Sequence, residues 1–425
     1  MKKLRAPVSG IGVVCLIAAM VLTVGLASTV FAADTVKIGL LTPLSGPAEI
    51  AGRMFRGAAQ FAVDEQNAKG GLMGKKIEIL FEDSEMKVDV GLRKAKKLIL
   101  QDKVNFLGVG ADDALAIALN KLTPEYKMLL LEAYASAIEV TGKEFSRYTF
   151  RVYPSTYSLC AAMVQMAKAK GFKRFYNIAL DFLPGHDHVR IWKELVKKEM
   201  PDAQMVGEDF FPWNTKDFGP YVTKIKAAKP DMIMLGAFGP DVINMVKQSR
   251  RMGLKVPFMN HFALDPMMTR ALGPDADGMY SVSGYSMEIK TPENAAFVKK
   301  WHEKHKNDKD FYLWWPFPEV GQVTFGWMMA LAAVEKAGSL DPEKIIQTYE
   351  NFEYKTPIGV WKMRACDHQA IRPMVGQVVK CGPNPYFNGS IDPDVKFCWE
   401  TPDVIIFPSE KVMVPATPDH NPRCK

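Results

Sequence analysis

The sequence is short of the features that mark most functional classes. No block of like charge interrupts it: 54 Lys and Arg against 47 Asp and Glu are interleaved along 425 residues, apart from a basic start at Lys2, Lys3 and Arg5. A nucleic-acid binder gathers its basic residues on one face or in one stretch, so the formal charge of +7 names no partner and no nucleic acid is expected. Cysteine is scarce, six in all, with no CxxC spacing of the kind a structural zinc site uses. Gly108-Val109-Gly110 lacks the third glycine of a dinucleotide fingerprint, because Asp113 stands there. Gly70 to Lys76 (GGLMGKK) has its glycines one residue too close for a phosphate loop, and no Ser or Thr follows Lys75. GxSxG and HExxH are both absent. These gaps argue against an enzyme and leave no cofactor and no metal to be expected. At 24% charged and 48% hydrophobic, the chain is not disordered, collagen-like or a polytopic membrane protein.

What is present begins with an export signal. A basic start, an apolar run from Ile11 to Leu26 and the small-residue close Val30-Phe31-Ala32-Ala33-Asp34 follow the layout of a cleavable secretory signal. The apolar run is short for a membrane span. Cys15 follows two valines and lacks the preceding small residue that lipidation wants. Residues 1–32 are therefore read as a signal peptide that exports the chain. Removing its three positive charges leaves a mature charge of about +4, so the basic character says little. Five cysteines remain. Cys366, Cys381, Cys398 and Cys424 fall in a Pro-, Asn- and Gly-rich tail, which in an oxidising compartment suggests two disulfides in any of three pairings. A zinc site is the disfavoured alternative. Cys160, in Leu159-Cys160-Ala161-Ala162-Met163, reads as a buried helix residue.

The body alternates strands and helices. Apolar strand runs at 35–42, 76–82, 104–109 and 128–131 are separated by helical stretches at 55–68, 91–101 and 114–122. The rhythm restarts after Tyr153-Pro154-Ser155, with strands at 174–180, 205–211, 232–236 and 256–259. Near-continuous apolar strands between amphipathic helices predict parallel sheets covered on both faces, hence an α/β fold of two doubly wound, Rossmann-like lobes. A cleft between such lobes collects strand ends and helix N-termini and is the natural ligand site. Helices at 295–305 and 322–337 return the chain to the first lobe. Gly185-His186-Asp187-His188 reads as a polar loop rather than a metal site, and His302 and His305 read as a solvated helix face among lysines.

Several blocks, in order, resemble the solute-binding proteins of branched-chain amino acid and amide ABC transporters, a leucine-binding-protein-like family. They are Leu44-Ser45-Gly46-Pro47 with Gly52 and Gly57-Ala58, then Asn67 to Lys76 (NAKGGLMGKK), Glu82-Asp83 and Phe150-Arg151. Lys336-Ala337-Gly338-Ser339, Thr356-Pro357-Ile358-Gly359 and Asp367-His368-Gln369-Ala370 continue the series. The resemblance implies the type I periplasmic binding protein fold, two lobes joined by a three-segment hinge that closes on ligand. Crossovers are then expected near Tyr153, near Ser281 to Tyr285 and near Lys355 to Ile358. Lobe 1 would comprise 34–153 plus 284–356, lobe 2 154–283 plus 357–380, with 381–425 a cysteine-bearing extension on lobe 2. The implied partners are a small-molecule solute and ABC permease subunits in the inner membrane, with the binding protein itself a monomer. A ligand-sensing protein that hands its closed state to a receptor fits the same sequence, and a secreted α/β enzyme fits it less well.

The resemblance also implies a pocket. Asp112, with Asp113 beside it, stands where amino-acid-binding relatives place a serine for the ligand carboxylate. Ala135-Ser136-Ala137 matches the family's Ala-Thr turn, which makes the Ser136 hydroxyl and neighbouring backbone N–H groups ligand donors. Ala51 and Pro184 replace expected aromatics, Phe262 replaces a glutamate that meets the ligand ammonium, and Phe238 keeps an aromatic wall, with His186 a possible hydrogen-bonding neighbour. The solute expected is amino-acid-like, an amide or aromatic-bodied, with an aromatic body and a hydrogen-bonding or cationic end near Asp112 preferred to an α-amino acid. Leu313-Trp314-Trp315-Pro316-Phe317-Pro318 is expected to pack between the lobes.

Overall fold

The computed structural model describes residues 35–382, 398–400 and 403–425; the signal-peptide reading of 1–32 lies outside them. The chain opens with β1 (Val36–Thr42), α1 (Glu49–Ala68), β2 (Ile77–Asp83), α2 (Val88–Leu100), β3 (Phe106–Gly110), α3 (Asp113–Leu122), β4 (Leu129–Tyr134) and β5 (Thr149–Arg151). Its five strands form one parallel sheet in the order β2-β1-β3-β4-β5. β3 and β4 are buried at every position, as expected for strands with helices on both faces.

The second set runs α4 (Thr156–Lys170), β6 (Arg174–Leu180), α5 (Leu183–Glu199), β7 (Gln204–Phe211), α6 (Gly219–Ala228), β8 (Met232–Gly236), α7 (Pro240–Arg251), β9 (Phe258–Met259), α8 (Pro266–Leu272) and β10 (Tyr280–Ser283). The chain then returns through α9 (Pro292–His305), α10 (Pro318–Ala337) and α11 (Pro342–Tyr349). Three strands, β11 (Glu353–Thr356), β12 (Gly359–Met363) and β13 (Ala370–Ile371), make a small antiparallel sheet. β14 (Met374–Cys381), β15 (Cys398–Glu400), β16 (Ile405–Phe407) and α12 (Ser409–Val412) complete the described chain. The second sheet has the order β15-β14-β10-β9-β8-β6-β7, with β16 paired to β14. Two α/β lobes result, each with apolar clusters on both faces of its sheet.

Helix α10 covers the first sheet beside α1. Gly108 makes that approach possible, since a Cβ there would lie 2.6 Å from the Trp327 ring and 2.4 Å from Leu40. The chain passes between the lobes after β5, at Ser283–Tyr285 after β10, and before β14. Trp361, Met363 and Ala370 belong to the first lobe's core, so the third passage falls at 371–374, later than the expected Lys355 to Ile358. Apolar side chains on β12 and β13 hold this stretch to the first lobe.

The tail also travels further than expected. β16 joins the second sheet, and Val412 and Met413 lie in that lobe's core. Beyond them the Arg364 guanidinium donates to the Val414 carbonyl at 2.9 Å, and the Asn421 amide donates to the Thr141 carbonyl at 2.9 Å. A Cys366–Cys424 disulfide then pins the end of the chain beside His368, whose ring stacks on Phe150 of β5. The tail thus starts on the second lobe and ends on the first. Cys381 is also disulfide-bonded and faces Cys398 across the β14–β15 register. Cys160 is free and buried, as expected.

Two local expectations are corrected. The tryptophan cluster packs inside the first lobe, not between lobes: Trp315 stacks on His302 at 3.8 Å, and Trp301 Nε1 donates to the Leu313 carbonyl at 2.5 Å. His305 is buried against Trp301, at 4.5 Å, and Phe61, so the histidines of α9 face the core while its lysines face outward.

Candidate functional site at the strand ends

Parallel strands place their carboxyl ends along one edge of each sheet, where the following loops and helix N-termini gather. In the first lobe the β3–β4 register shifts at Val109/Gly110, and Ala111 follows in a left-handed conformation (φ 60°). That turn aims Asp112 and Asp113 at different tasks. Asp112 caps α3: its carboxylate accepts from the Leu115 N–H at 3.0 Å and the Ser84 hydroxyl at 3.2 Å. Asp113 reaches across to the β4 turn, where one carboxylate oxygen accepts the N–H groups of both Ser136 (2.6 Å) and Ala137 (2.9 Å). Burial raises the pKa of both carboxyls against these hydrogen bonds, and Asp113 raises Asp112 further.

Asp113 thus ties the β3 turn to the β4 turn, and the backbone N–H groups of Ser136 and Ala137 are engaged by the protein's own carboxylate. Arg151 supports the same turn. It donates to the Ala137 carbonyl, to Thr141 Oγ1 at 2.6 Å and to Gln369 Oε1 at 2.6 Å. Two family-like blocks, Phe150-Arg151 and Asp367 to Ala370, thus meet across 218 residues. Ala51, on α1, packs against the first lobe's core.

The second lobe contributes rings. Phe182, Trp213, Phe238 and Phe262 each lie two or three residues past β6, β7, β8 and β9. They form a continuous set: Phe182–Trp213 at 5.8 Å, Phe182–Phe238 at 5.9 Å, Trp213–Phe238 at 5.0 Å and Phe238–Phe262 at 6.5 Å, all edge to face. Trp213 is 48% exposed and Phe238 38%. His186 bonds Asp181 at 2.8 Å and stacks on Phe210, while the exposed Pro184 accepts from His188 Nδ1 at 3.2 Å. His188 is buried and stacks on His261 at 5.3 Å; burial lowers the pKa of both and keeps them neutral. Gly185 to His188 thus lie in the first turns of α5 and not in the expected polar loop, because Pro184 opens a helix there, and the two histidines turn to different partners and do not converge on one point. Among the described residues, the grouping able to hold a metal is Cys366, Asp367 and Cys424, and its two sulfurs are spent in the disulfide.

The Ser136 turn and α8, which follows β9, take part in the interlobe contact. Thr156, opening α4, donates to the Ser136 carbonyl through its N–H at 2.8 Å and its hydroxyl at 3.2 Å. Arg270 of α8 lies over the Phe311 ring at 4.7 Å, and Met267 packs on the first lobe's core. Beneath them a buried polar network joins all three passages. Tyr153 donates to Glu319 at 2.9 Å, and Gln322 donates to the same carboxyl. The Gln322 carbonyl in turn accepts from Arg372 at 2.6 Å and from the Gly284 N–H at 3.1 Å. Burial pushes Glu319 up to about 7 and lowers Arg372 to about 9. Sequence reasoning misses Phe182, Trp213 and this network. The rings stand at the same offset past their strands as Phe238, so the strand ends could have revealed them, but nothing local marks a network built from three distant segments. A groove of about 440 Å³ runs elsewhere, between 287–291 and α9, and includes none of the strand-end residues.

Residues 35–383 match a family described as periplasmic binding protein. A Leu/Ile/Val-binding protein homologue of Brucella melitensis is 29% identical over 367 residues, covering 82% of this chain and 84% of the relative. The crystal structure of a leucine-, isoleucine-, valine-, threonine- and alanine-binding protein from Brucella ovis, in a closed conformation, superposes with a TM-score of 0.79 at 26% identity, covering 90% of this chain and 97% of that one. A Rhodopseudomonas palustris solute-binding protein in complex with 4-hydroxybenzoate shares the fold, with a TM-score of 0.74 at 22% identity over 88% of this chain and 98% of its own.

Proposed function

The chain belongs to the periplasmic binding protein family, and on that premise we propose that it is the extracytoplasmic solute-binding component of an ABC importer. The solute enters between the strand-end edges, contacts rings of the second lobe and the Asp112–Ser136 region of the first, and the lobes close about the three passages. Closure is favoured only by contacts made better in the closed cleft. The closed protein then presents its cargo to inner-membrane permease subunits. The monomeric state and the periplasmic address of the cleaved chain belong to the same proposal.

One observation carries this reading: a buried polar network joins all three passages between two α/β lobes, beside the Ser136 turn and α8, which meet the opposite lobe. The hinge is thus built as a unit. The relatives named for branched-chain amino acids and the neighbour holding 4-hydroxybenzoate support a small organic cargo.

The test is mass spectrometry of small molecules released from the purified mature protein, with small-angle scattering before and after their removal. A stoichiometric solute whose loss expands the protein is expected. Chemical conversion of the solute, or neither solute nor compaction, overturns the reading.

A further inference from the structure

We propose that the cleft selects a solute with an aromatic or flat apolar body and a head that is a neutral or cationic hydrogen-bond donor, and that it rejects carboxylate heads. This rests on the solute-binding reading and narrows its ligand class.

Asp113 supplies the first argument. Its carboxylate sits on the Ser136 and Ala137 N–H groups, so a solute carboxylate arriving at this turn finds those donors occupied. It also meets a second carboxylate, Asp112, whose two oxygens already accept from Leu115 and Ser84. Two like charges brought together with no free cation repel, and burial removes the water that would screen them. Arg151, the cation beside this turn, offers a solute carboxylate no free N–H, because its Nε, Nη1 and Nη2 are committed to Gln369, Ala137 and Thr141, and its charge is shared among Glu132, Asp367 and Asp113. Arg372 retains buried Nε and Nη1 groups without hydrogen-bond partners, but its guanidinium lies over the Trp361 ring at 4.3 Å within the hinge, in the field of Tyr153, Glu319 and Glu132. A solute donor, by contrast, meets carboxylate oxygens that can accept it.

The rings supply the second, independent argument. Four aromatic side chains from four strand ends brace one another edge to face, and this leaves Trp213 and Phe238 exposed at the loop ends. Exposed aromatic surface at such an edge gains most from a flat apolar partner. The negative faces of the rings tolerate a cation and disfavour an anion. The strand-end edge of each lobe therefore favours the same charge sign in the cargo.

The experiment titrates the mature protein, stripped of co-purified solute, with benzylamine, benzamide, benzoate and leucine, followed by calorimetry and thermal shift. Benzylamine or benzamide is expected to bind at least about ten-fold more tightly than benzoate and leucine. Trp213→Ala and Phe238→Ala are expected to weaken the aromatic probes by about ten-fold while leaving the far-UV circular dichroism of the folded protein unchanged. Asp113→Ser, which frees two N–H groups, is expected to shift preference toward benzoate; Asp113→Asn, which keeps an acceptor there, is expected to keep benzoate weak. Benzoate or leucine binding the wild type as tightly as the amine and amide overturns the inference, as does binding by none of the four or insensitivity to Trp213→Ala. A wild type that binds leucine or benzoate tightly would still be a solute-binding protein, so the broader reading fails only on its own scattering and mass-spectrometric test.

Discussion

A carboxylate that accepts two backbone N–H groups cannot be removed without leaving both donors without a protein partner. Asp113→Ala is expected to lower unfolding free energy by about 1–3 kcal/mol, measured by chemical denaturation. Glu319 makes a prediction of the opposite kind. Burial penalises its charged form and lifts its pKa to about 7, while Tyr153, Gln322 and Arg372 favour ionisation and Asp265 opposes it. An acid whose folded pKa lies above its unfolded value costs nothing while protonated in both states. Its penalty grows as pH rises from about 4.5 to 7 and is complete above that, on the order of 3 kcal/mol. Glu319→Gln should therefore raise Tm at pH 8 and change it little at pH 4. Asp367 shows the reverse sign: burial pushes its carboxyl up, but Arg364 and His420 outweigh this and hold it at about 2. Its contribution is lost as pH falls through that range. Of the candidate site residues, Asp112, Asp113 and Ser136 are marked only by the resemblance. That Asp113 satisfies the Ser136 turn was not legible, because a side-chain hydrogen bond across two strand ends leaves no trace in local pattern.

Among the elements, α10 and the first sheet show how closely helix and strand are matched. Gly108 on β3 faces Trp327, and Gly108→Ala is expected to cost roughly 1–3 kcal/mol in guanidinium unfolding through overpacking against Leu40 and Trp327. The parallel strands were easy to read because burial on both faces makes them apolar runs. β11 and β12 were not read as strands: they are short, and most of their positions are exposed or half-exposed. The same weakness placed the third passage too early, since Trp361 and Met363 commit their strand to the first lobe only through long-range packing. The histidines of α9 were misread for a related reason. Lysines beside them signal solvent, yet successive helix positions face different directions, and His302 and His305 turn toward Trp315 and Trp301.

For the whole molecule, the tail changes what the two lobes can do. Cys366 and Cys424 close a loop across a sequence separation of 58. Replacing both with serine is expected to cost roughly 2–5 kcal/mol of stability, read from denaturation of the oxidised protein and its variant. The mechanical effect is more specific than the loss of stability. Three passages alone would let the lobes swing as far as their shared network allows. A fourth strand of chain is seated in the second sheet through β16 and riveted to the first lobe at Cys424, so it is expected to act as a tether on lobe opening. Spin labels on the two lobes should report a narrow open-state distance distribution in the oxidised wild type and a broader, longer one in the Cys366→Ser/Cys424→Ser variant, which leaves the Cys381 disulfide intact. The redox state of one bond would then set the mouth width available to an incoming solute, and with it the balance between fast loading and a short closing stroke.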